Sequence, residues 1–265
     1  MKISVIGAGA MGGAIVRGIL NSKTYDAADI TVADPSQKTT ELFAEHGVNV
    51  TADNRAAAST ADIIFVVVKP WLVETVLKEI KNSMDYDRQT LVIVAAGVTS
   101  GKIREWLGDG NVQDNDLPAI FLAIPNIAIS ELSSMTFIVP VKASDADTTL
   151  VKGIFDTMGS TFVTEERLLP AGTTLASCGI AYAMRYIRAA SEGGVELGFK
   201  ADDAKAIVLQ TVKGAIDLLF ANGNHPEAEI DKVTTPGGVT IKGLNEMEHA
   251  GFTSAVIRGL KAGMK

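Results

Sequence analysis

Apolar and polar positions follow two different rhythms along the chain, and the rhythm changes near residue 162. Before that point, short apolar runs are separated by stretches with helical spacing. Lys2–Ile6, Ile30–Ala33, Val48–Thr51, Ile63–Val68, Leu91–Ala95 and Ala119–Ile124 read as strands. Runs without a polar break are what parallel strands need when helices cover both sheet faces. The first helix is expected through Ala14, Ile15, Ile19 and Leu20. Others follow over Gln37–His46, Arg55–Ser59, Trp71–Lys81 and from Lys102 to Leu107, the Trp71 helix with Leu72, Val76, Leu77 and Ile80 on one face. Thr136–Val141 reads as the last or an edge strand and Thr148–Met158 as a closing helix. Such alternation predicts α/β architecture, with residues 1–162 forming a right-handed, doubly wound parallel sheet.

After about Phe162 the strands stop. Thr173–Gly198 reads as one long helix rich in alanine and glycine. A second is expected from an Asp202 cap to Asn222, with Ile207, Val208, Val212, Ala215, Ile216 and Leu219 in a wide apolar stripe. A short helix should start at His225-Pro226, and two more at Thr240 and Thr253. Roughly 100 apolar, small-residue helical positions would bury themselves poorly alone. Residues 163–265 are therefore expected to be an all-helical domain packed against a second copy of itself, in a homodimer.

Charge and composition narrow the function. A formal charge of −7 with no basic tract argues against nucleic acid as the main partner. The strongest apolar runs, Ile63–Val68 and Leu91–Ala96, are too short to span a bilayer, so no membrane partner is expected. The N-terminus enters a strand at once and lacks the features of a signal peptide. The single cysteine, Cys178, allows no internal disulfide and fits a cytoplasmic location. His46, His225 and His249 are scattered, and no metal site is expected.

Two stretches carry chemistry. Gly7-Ala8-Gly9-Ala10-Met11-Gly12 lies between the first strand and the first helix, the setting that the dinucleotide fingerprint G-x-G-x-x-G requires. Gly7 would allow the tight turn, Gly9 the approach of a pyrophosphate, and Gly12 close packing of helix on strand. Asp34 ends the second strand 22 residues after Gly12, where an acidic side chain accepts hydrogen bonds from a ribose diol and repels a 2′-phosphate. That leans towards NADH, with NADPH kept open. The second stretch, Val233-Thr234-Thr235-Pro236-Gly237-Gly238-Val239-Thr240-Ile241, reads as a loop entering a helix. Its glycines and hydroxyls suit either a plain helix cap or an anion held by backbone N–H groups.

Over nearly its whole length the chain resembles the pyrroline-5-carboxylate reductase family. The most specific part is Asp231-Lys232-Val233-Thr234-Thr235-Pro236-Gly237-Gly238-Val239-Thr240, which is similar to the family signature D-x-V-(T/S)-S-P-G-G-x-T. Gly7–Gly12, Asp53-Asn54, Val68-Lys69-Pro70, Ala95-Ala96-Gly97 and Pro125-Asn126 also match. The resemblance implies a Rossmann domain followed by a helical dimerisation and substrate-binding domain, often assembled as a decamer of five dimers. It implies that Thr235, Gly237, Gly238 and Val239 hold the substrate carboxylate, and that Thr240 is the catalytic position, hydrogen-bonding the ring nitrogen. Asn126 would lie at the nicotinamide end, beside the substrate. Gly7, Gly9, Ala10, Met11, Gly12, Asp34, Asn54, Val68, Lys69, Pro70, Ala96 and Gly97 would bind NADPH or NADH.

The chain departs from the family pattern in places. Leu122 stands where arginine is usual, Ile124 where methionine is, and Ile127-Ala128 where threonine-proline is. The G-S-G-P-A-Y motif appears as Ser177-Cys178-Gly179-Ile180-Ala181-Tyr182, and Asp34-Pro35 replaces the Asn-Arg that serves NADPH. No His/Asp pair is found for acid–base chemistry. An iminium accepts hydride readily, so orientation supplies most of what such a reaction needs. Two rivals remain at this stage: a related imine or β-hydroxyacid reductase, and a non-catalytic nicotinamide-binding regulator. The first is weakened because Thr173–Gly193 contains Arg185 and Arg188 but no lysine.

Overall fold

Strand β1 (Ile3–Ile6) is buried along its full length, as a strand flanked on both edges and covered on both faces must be. The computed structural model describes residues 1–108 and 116–264. Within them β2 (Ile30–Ala33), β3 (Asn49–Thr51), β4 (Ile63–Val66), β5 (Thr90–Ile93), β6 (Ala119–Ile124), β7 (Ser134–Lys142) and β8 (Gly159–Val163) join β1 in one sheet, ordered β3-β2-β1-β4-β5-β6-β7-β8. Strands β1 to β6 pair in parallel. The order reverses between β1 and β4, and the carboxyl edge at such a switch point is where open α/β sheets bind ligands.

Helices α1 (Ala10–Ser22), α2 (Gln37–Ala44), α3 (Asn54–Thr60), α4 (Val73–Ile80), α5 (Ser100–Leu107) and α6 (Asp145–Asp156) belong to this sheet. Because strand side chains alternate, neighbouring residues enter different cores. Val5, Phe65 and Phe121 join Ile15 and Phe155 on one face, where the Phe65 and Phe155 rings meet edge to face at 5.6 Å. Ile6, Val66 and Ile120 join Leu77 and Ile103 on the other.

The last part of the sheet differs from the sequence reading. Strand β7 runs antiparallel to β6, and it is not the final strand, because β8 pairs with it in parallel and forms the edge. Strand β8 opens on Gly159, where a Cβ would lie 2.1 Å from the Ser134 carbonyl oxygen, so only glycine allows this approach. A start of Gly-Ser left too little apolar pattern for the strand to be read.

The long helix expected over Thr173–Gly198 is also divided. After α7 (Leu169–Gly172), Thr173–Cys178 is π-helical, and α8 runs Gly179–Glu196. Asp202 does not cap α9 (Ala201–Asn222); Lys200 occupies that position, and Asp202 lies in the first turn, paired with Lys205 at 3.2 Å. Helices α10 (Pro226–Lys232), α11 (Val239–His249) and α12 (Phe252–Ala262) follow.

The chain divides into two compact units, Met1–Ser177 and Cys178 onwards. The first retains α7 because Leu169 packs into the Ile6–Val66 core and Gly172 lies against the Phe137 ring. In the second, Gly194 of α8 lies close to Ala204 of α9, and Ala204 is the one buried residue among those described. Large apolar side chains stay outside: Phe220 is 84% exposed, Leu197 83% and Met184 60%. No helix among the described residues is long and apolar enough to cross a membrane.

Candidate active site

The three glycines of the first turn do three different things. Gly7 has φ +91°, and a Cβ there would lie 2.4 Å from the Val67 carbonyl oxygen. A Cβ on Gly12 would lie 1.9 Å from the Gly7 carbonyl oxygen, so this glycine lets α1 close onto the turn. Around Gly9 a Cβ would meet nothing within 4 Å. Gly9 is the N-cap of α1, no side chain caps that helix, and its first backbone bond runs from Gly13 N–H to the Gly9 carbonyl at 2.8 Å. The N–H groups of Ala10, Met11 and Gly12 thus open the helix beside empty space. That is the chemistry of an anion site at a helix N-terminus.

Asp34 faces this loop. Its Oδ2 accepts a hydrogen bond from Ala8 N–H at 2.8 Å, and its Oδ1 one from Ser36 N–H at 2.9 Å. The carboxylate therefore holds the glycine loop to the end of β2. Each oxygen keeps a lone pair for a diol. Asn54 opens α3 behind Asp53, whose carboxylate accepts from Arg55 N–H at 2.9 Å, and Asn54 Nδ2 donates to Glu79 at 2.9 Å.

Gly7, Gly9, Ala10, Met11, Asp34, Asn54, Val68, Lys69, Pro70 and Ala96 line a single open cleft of about 590 Å³ at the carboxyl edge of β1, β2, β4 and β5. That volume lies within the range of small-molecule and cofactor sites. Gly12 sits behind the wall, and Gly97 follows Ala96 at φ +78° with open space around it. One wall escaped the sequence reading: Leu72, Thr75, Val76 and Glu79 also line the cleft. Their i, i+3, i+4, i+7 spacing is itself the signal that they share one face. The ionisable groups on the walls are Asp34, Glu79 and Lys69.

Asn126 is on the neighbouring strand end and does not line the cleft. The register pairs Ile93 with Leu122, so Asn126 lies just past the carboxyl end of β6, the strand next to β5. Asn126 is 5% exposed and caps a 3-10 turn, Ile127–Glu131, its Oδ1 accepting from Ala128 N–H at 3.0 Å.

The Thr235 loop belongs to the second unit. Thr235 to Gly238 form a turn closed by a bond from Gly238 N–H to the Thr235 carbonyl at 2.9 Å, with Pro236 second and Gly237 at φ +70° third. This is the type II pattern, which needs glycine at the third position. Gly238 is the N-cap of α11, and no side chain caps the helix. A Cβ on Gly238 would lie 2.5 Å from the Thr235 hydroxyl. Thr235, Gly237, Val239 and Thr240 are exposed. The Thr234 hydroxyl turns back to the Ile230 carbonyl at 2.7 Å, whereas the Thr240 hydroxyl has no partner among the described residues.

Comparison with known proteins bears on both parts. Residues 166–265 match the family model described as pyrroline-5-carboxylate reductase dimerisation, and residues 2–97 match one described as NADP oxidoreductase, coenzyme F420-dependent. The chain is 40% identical to pyrroline-5-carboxylate reductase 1 of Dictyostelium discoideum over 97% of its own length, spanning 48% of that protein. It is 37% identical to pyrroline-5-carboxylate reductase 2 of the same organism, over 98% of this chain and 89% of that one. The chain belongs to the pyrroline-5-carboxylate reductase family. A crystal structure of the Plasmodium falciparum pyrroline carboxylate reductase with NADP bound superposes at TM-score 0.88 and 26% identity, covering 100% of this chain and 95% of that one. Among the departures from the family pattern, Leu122 and Ile124 are buried in the sheet core at 2% and 7% exposure, and at Leu122 a charged side chain would need a partner.

Proposed function

We propose that this chain reduces 1-pyrroline-5-carboxylate to L-proline, the step that completes proline biosynthesis, with NAD(P)H as hydride donor. The cofactor, when bound, supplies the hydride for the C=N carbon. The chain's own residues bind, orient and exclude. The glycine turn and the uncapped start of α1 hold the pyrophosphate, Asp34 receives the adenosine ribose, and Asn54, Val68, Lys69, Pro70, Ala96 and Gly97 complete the cofactor's surroundings. Asp34 makes NADH the better partner, since a 2′-phosphate would meet a carboxylate already fixed by two backbone N–H groups.

In the second unit the substrate carboxylate takes the Thr235 hydroxyl and the N–H groups of Gly237 and Val239. Gly238, whose own N–H closes the turn, shapes the pocket. Charge-assisted bonds of this kind are roughly twice as strong as neutral ones. Thr240 holds the ring nitrogen and relays a proton from water, a modest task for a hydroxyl. Asn126 stands at the nicotinamide end. Residues 1–162 serve the cofactor, and residues 163–265 serve the substrate and self-association, as a homodimer that can build further towards a decamer. A cytoplasmic location fits the single cysteine.

The observation that carries this reading is the uncapped start of α11 behind a type II turn, within the family's most specific motif. Oxidation of NADH in the presence of 1-pyrroline-5-carboxylate, with proline as product, tests it. Parallel reactions with hydroxyacids and other cyclic imines should run far slower. Thr240→Ala should lower turnover while leaving cofactor affinity nearly unchanged; parent-like turnover in that variant would remove Thr240 from the mechanism.

A further inference from the structure

Several of the buried polar residues gather at one place, the carboxyl end of β6. Asn126, Ser134 and Thr136 are 5%, 3% and 1% exposed. Asn126 N–H donates to Ser134 Oγ at 3.1 Å, and Ser134 Oγ is 3.1 Å from Thr136 Oγ1. The Asn126 carbonyl accepts from Ile129 N–H at 3.1 Å, and the Asn126 Oδ1 from Ala128 N–H. Just before it, the Pro125 carbonyl accepts a hydrogen bond at 3.0 Å from the hydroxyl of Ser177, at the end of the π-helical segment. Buried polar groups are costly unless fully partnered, and when partnered they fix one geometry. Here the bonds use the backbone and the side-chain oxygen of Asn126 and leave its Nδ2 amide without a partner among the described residues.

We infer that Ser177 is a positioning residue: its bond to the Pro125 carbonyl fixes the peptide that carries Asn126, the residue assigned above to the nicotinamide end, and leaves the Nδ2 donor of Asn126 available there. The position is suited to the task. A π-helical segment departs from the regular i→i−4 ladder, and such segments are frequent at functional sites. The peptide is held from two sides, by Ser177 at Pro125 and by Ser134 at Asn126. The role of Asn126 rests on the reading of the site proposed above; the latch itself rests on the hydrogen bonds alone.

The test compares the intact parent chain with Ser177→Ala and Ser177→Thr. Amide exchange at Ala128 and Ile129 reads the latch without reference to activity. Ser177→Ala should lose protection there by about three- to tenfold, the factor one ordinary hydrogen bond is worth, while the amides of β1 and β4 keep the parent's protection. Turnover should fall by a similar factor at unchanged NADH affinity, and Ser177→Thr should restore both. Parent-like exchange at Ala128 and Ile129 in Ser177→Ala overturns the proposal, as does a loss spread evenly over the whole sheet. A local loss of protection with parent-like turnover also overturns it, since Ser177 would then hold the peptide without serving the site. A parent that binds NADH and does not reduce 1-pyrroline-5-carboxylate overturns the proposed function instead, and the exchange measurement then judges the latch by itself.

Discussion

Replacing Gly9 by alanine should separate cofactor binding from folding. A Cβ at this position meets no atom within 4 Å, and Gly9 is extended, at φ −63° and ψ −158°, outside the left-handed region that favours glycine. The folded chain therefore accommodates the methyl group without strain. Replacing glycine where its conformation is compatible lowers the entropy of the unfolded chain and stabilises by about 0.4–1 kcal/mol. The space that the methyl group fills is the space left for a pyrophosphate beside the N–H groups of Ala10, Met11 and Gly12. Pushing the phosphate away should cost at least one hydrogen bond to a charged group, about 1.5–3 kcal/mol, which is roughly a 10- to 150-fold rise in Kd. Calorimetric titration with NADH and NADPH, alongside a thermal melt, gives both numbers from one preparation. Affinity for both cofactors should fall together, since the pyrophosphate is common to them, and Tm should stay level or rise slightly. Parent-like affinity in a folded Gly9→Ala chain would mean that the pyrophosphate does not approach Gly9, and the assignment of this cleft would fail.

Gly12→Ala should do the opposite in the melt: its Cβ would lie 1.9 Å from a backbone carbonyl oxygen that cannot give way, and such overpacking costs about 1–3 kcal/mol of stability. A Tm equal to the parent's would contradict that geometry. Asp34→Ala should weaken NADH roughly tenfold or more, the scale of a hydrogen bond to a charged group, and NADPH less; equal loss on both removes the argument for NADH. Light scattering on a sizing column should give twice the chain mass or more at micromolar concentration, and a monomer there would refute self-association through the exposed face of α8 to α12.

Much of the first unit was legible because its physics is local. Ile63–Val68 and Leu91–Ala95 are apolar without a break, and they contain most of the buried central strands β4 (Ile63–Val66) and β5 (Thr90–Ile93). The glycine turn could be read because each glycine answers a different steric demand within six residues. The β8 strand was not legible, since its place depends on Gly159 meeting Ser134, a contact between distant positions. The π-helical segment was hidden for a similar reason: helical periodicity does not distinguish one i→i+5 turn within a longer run. In the cleft, Glu79 was missed because its helix was read for its apolar face, while its link to Asn54 joins residues 25 positions apart. The Thr235 loop was legible as an entry into a helix, from its hydroxyls, proline and paired glycines, but not as a type II turn. That Gly238 spends its N–H within the turn could be learned only from the folded loop.

The bareness of the second unit also bears on how much of the protein a cell can keep. With Ala204 alone buried among its described residues, this half would, under the self-association proposed above, draw its stability from association, and association obeys mass action. At high expression the apolar faces find each other soon after synthesis. At low expression each chain spends longer with Phe220 and Leu197 facing water, where chaperones and proteases compete for it. The amount of folded protein should then fall more steeply than the amount synthesised, so that halving gene dosage removes more than half of the product.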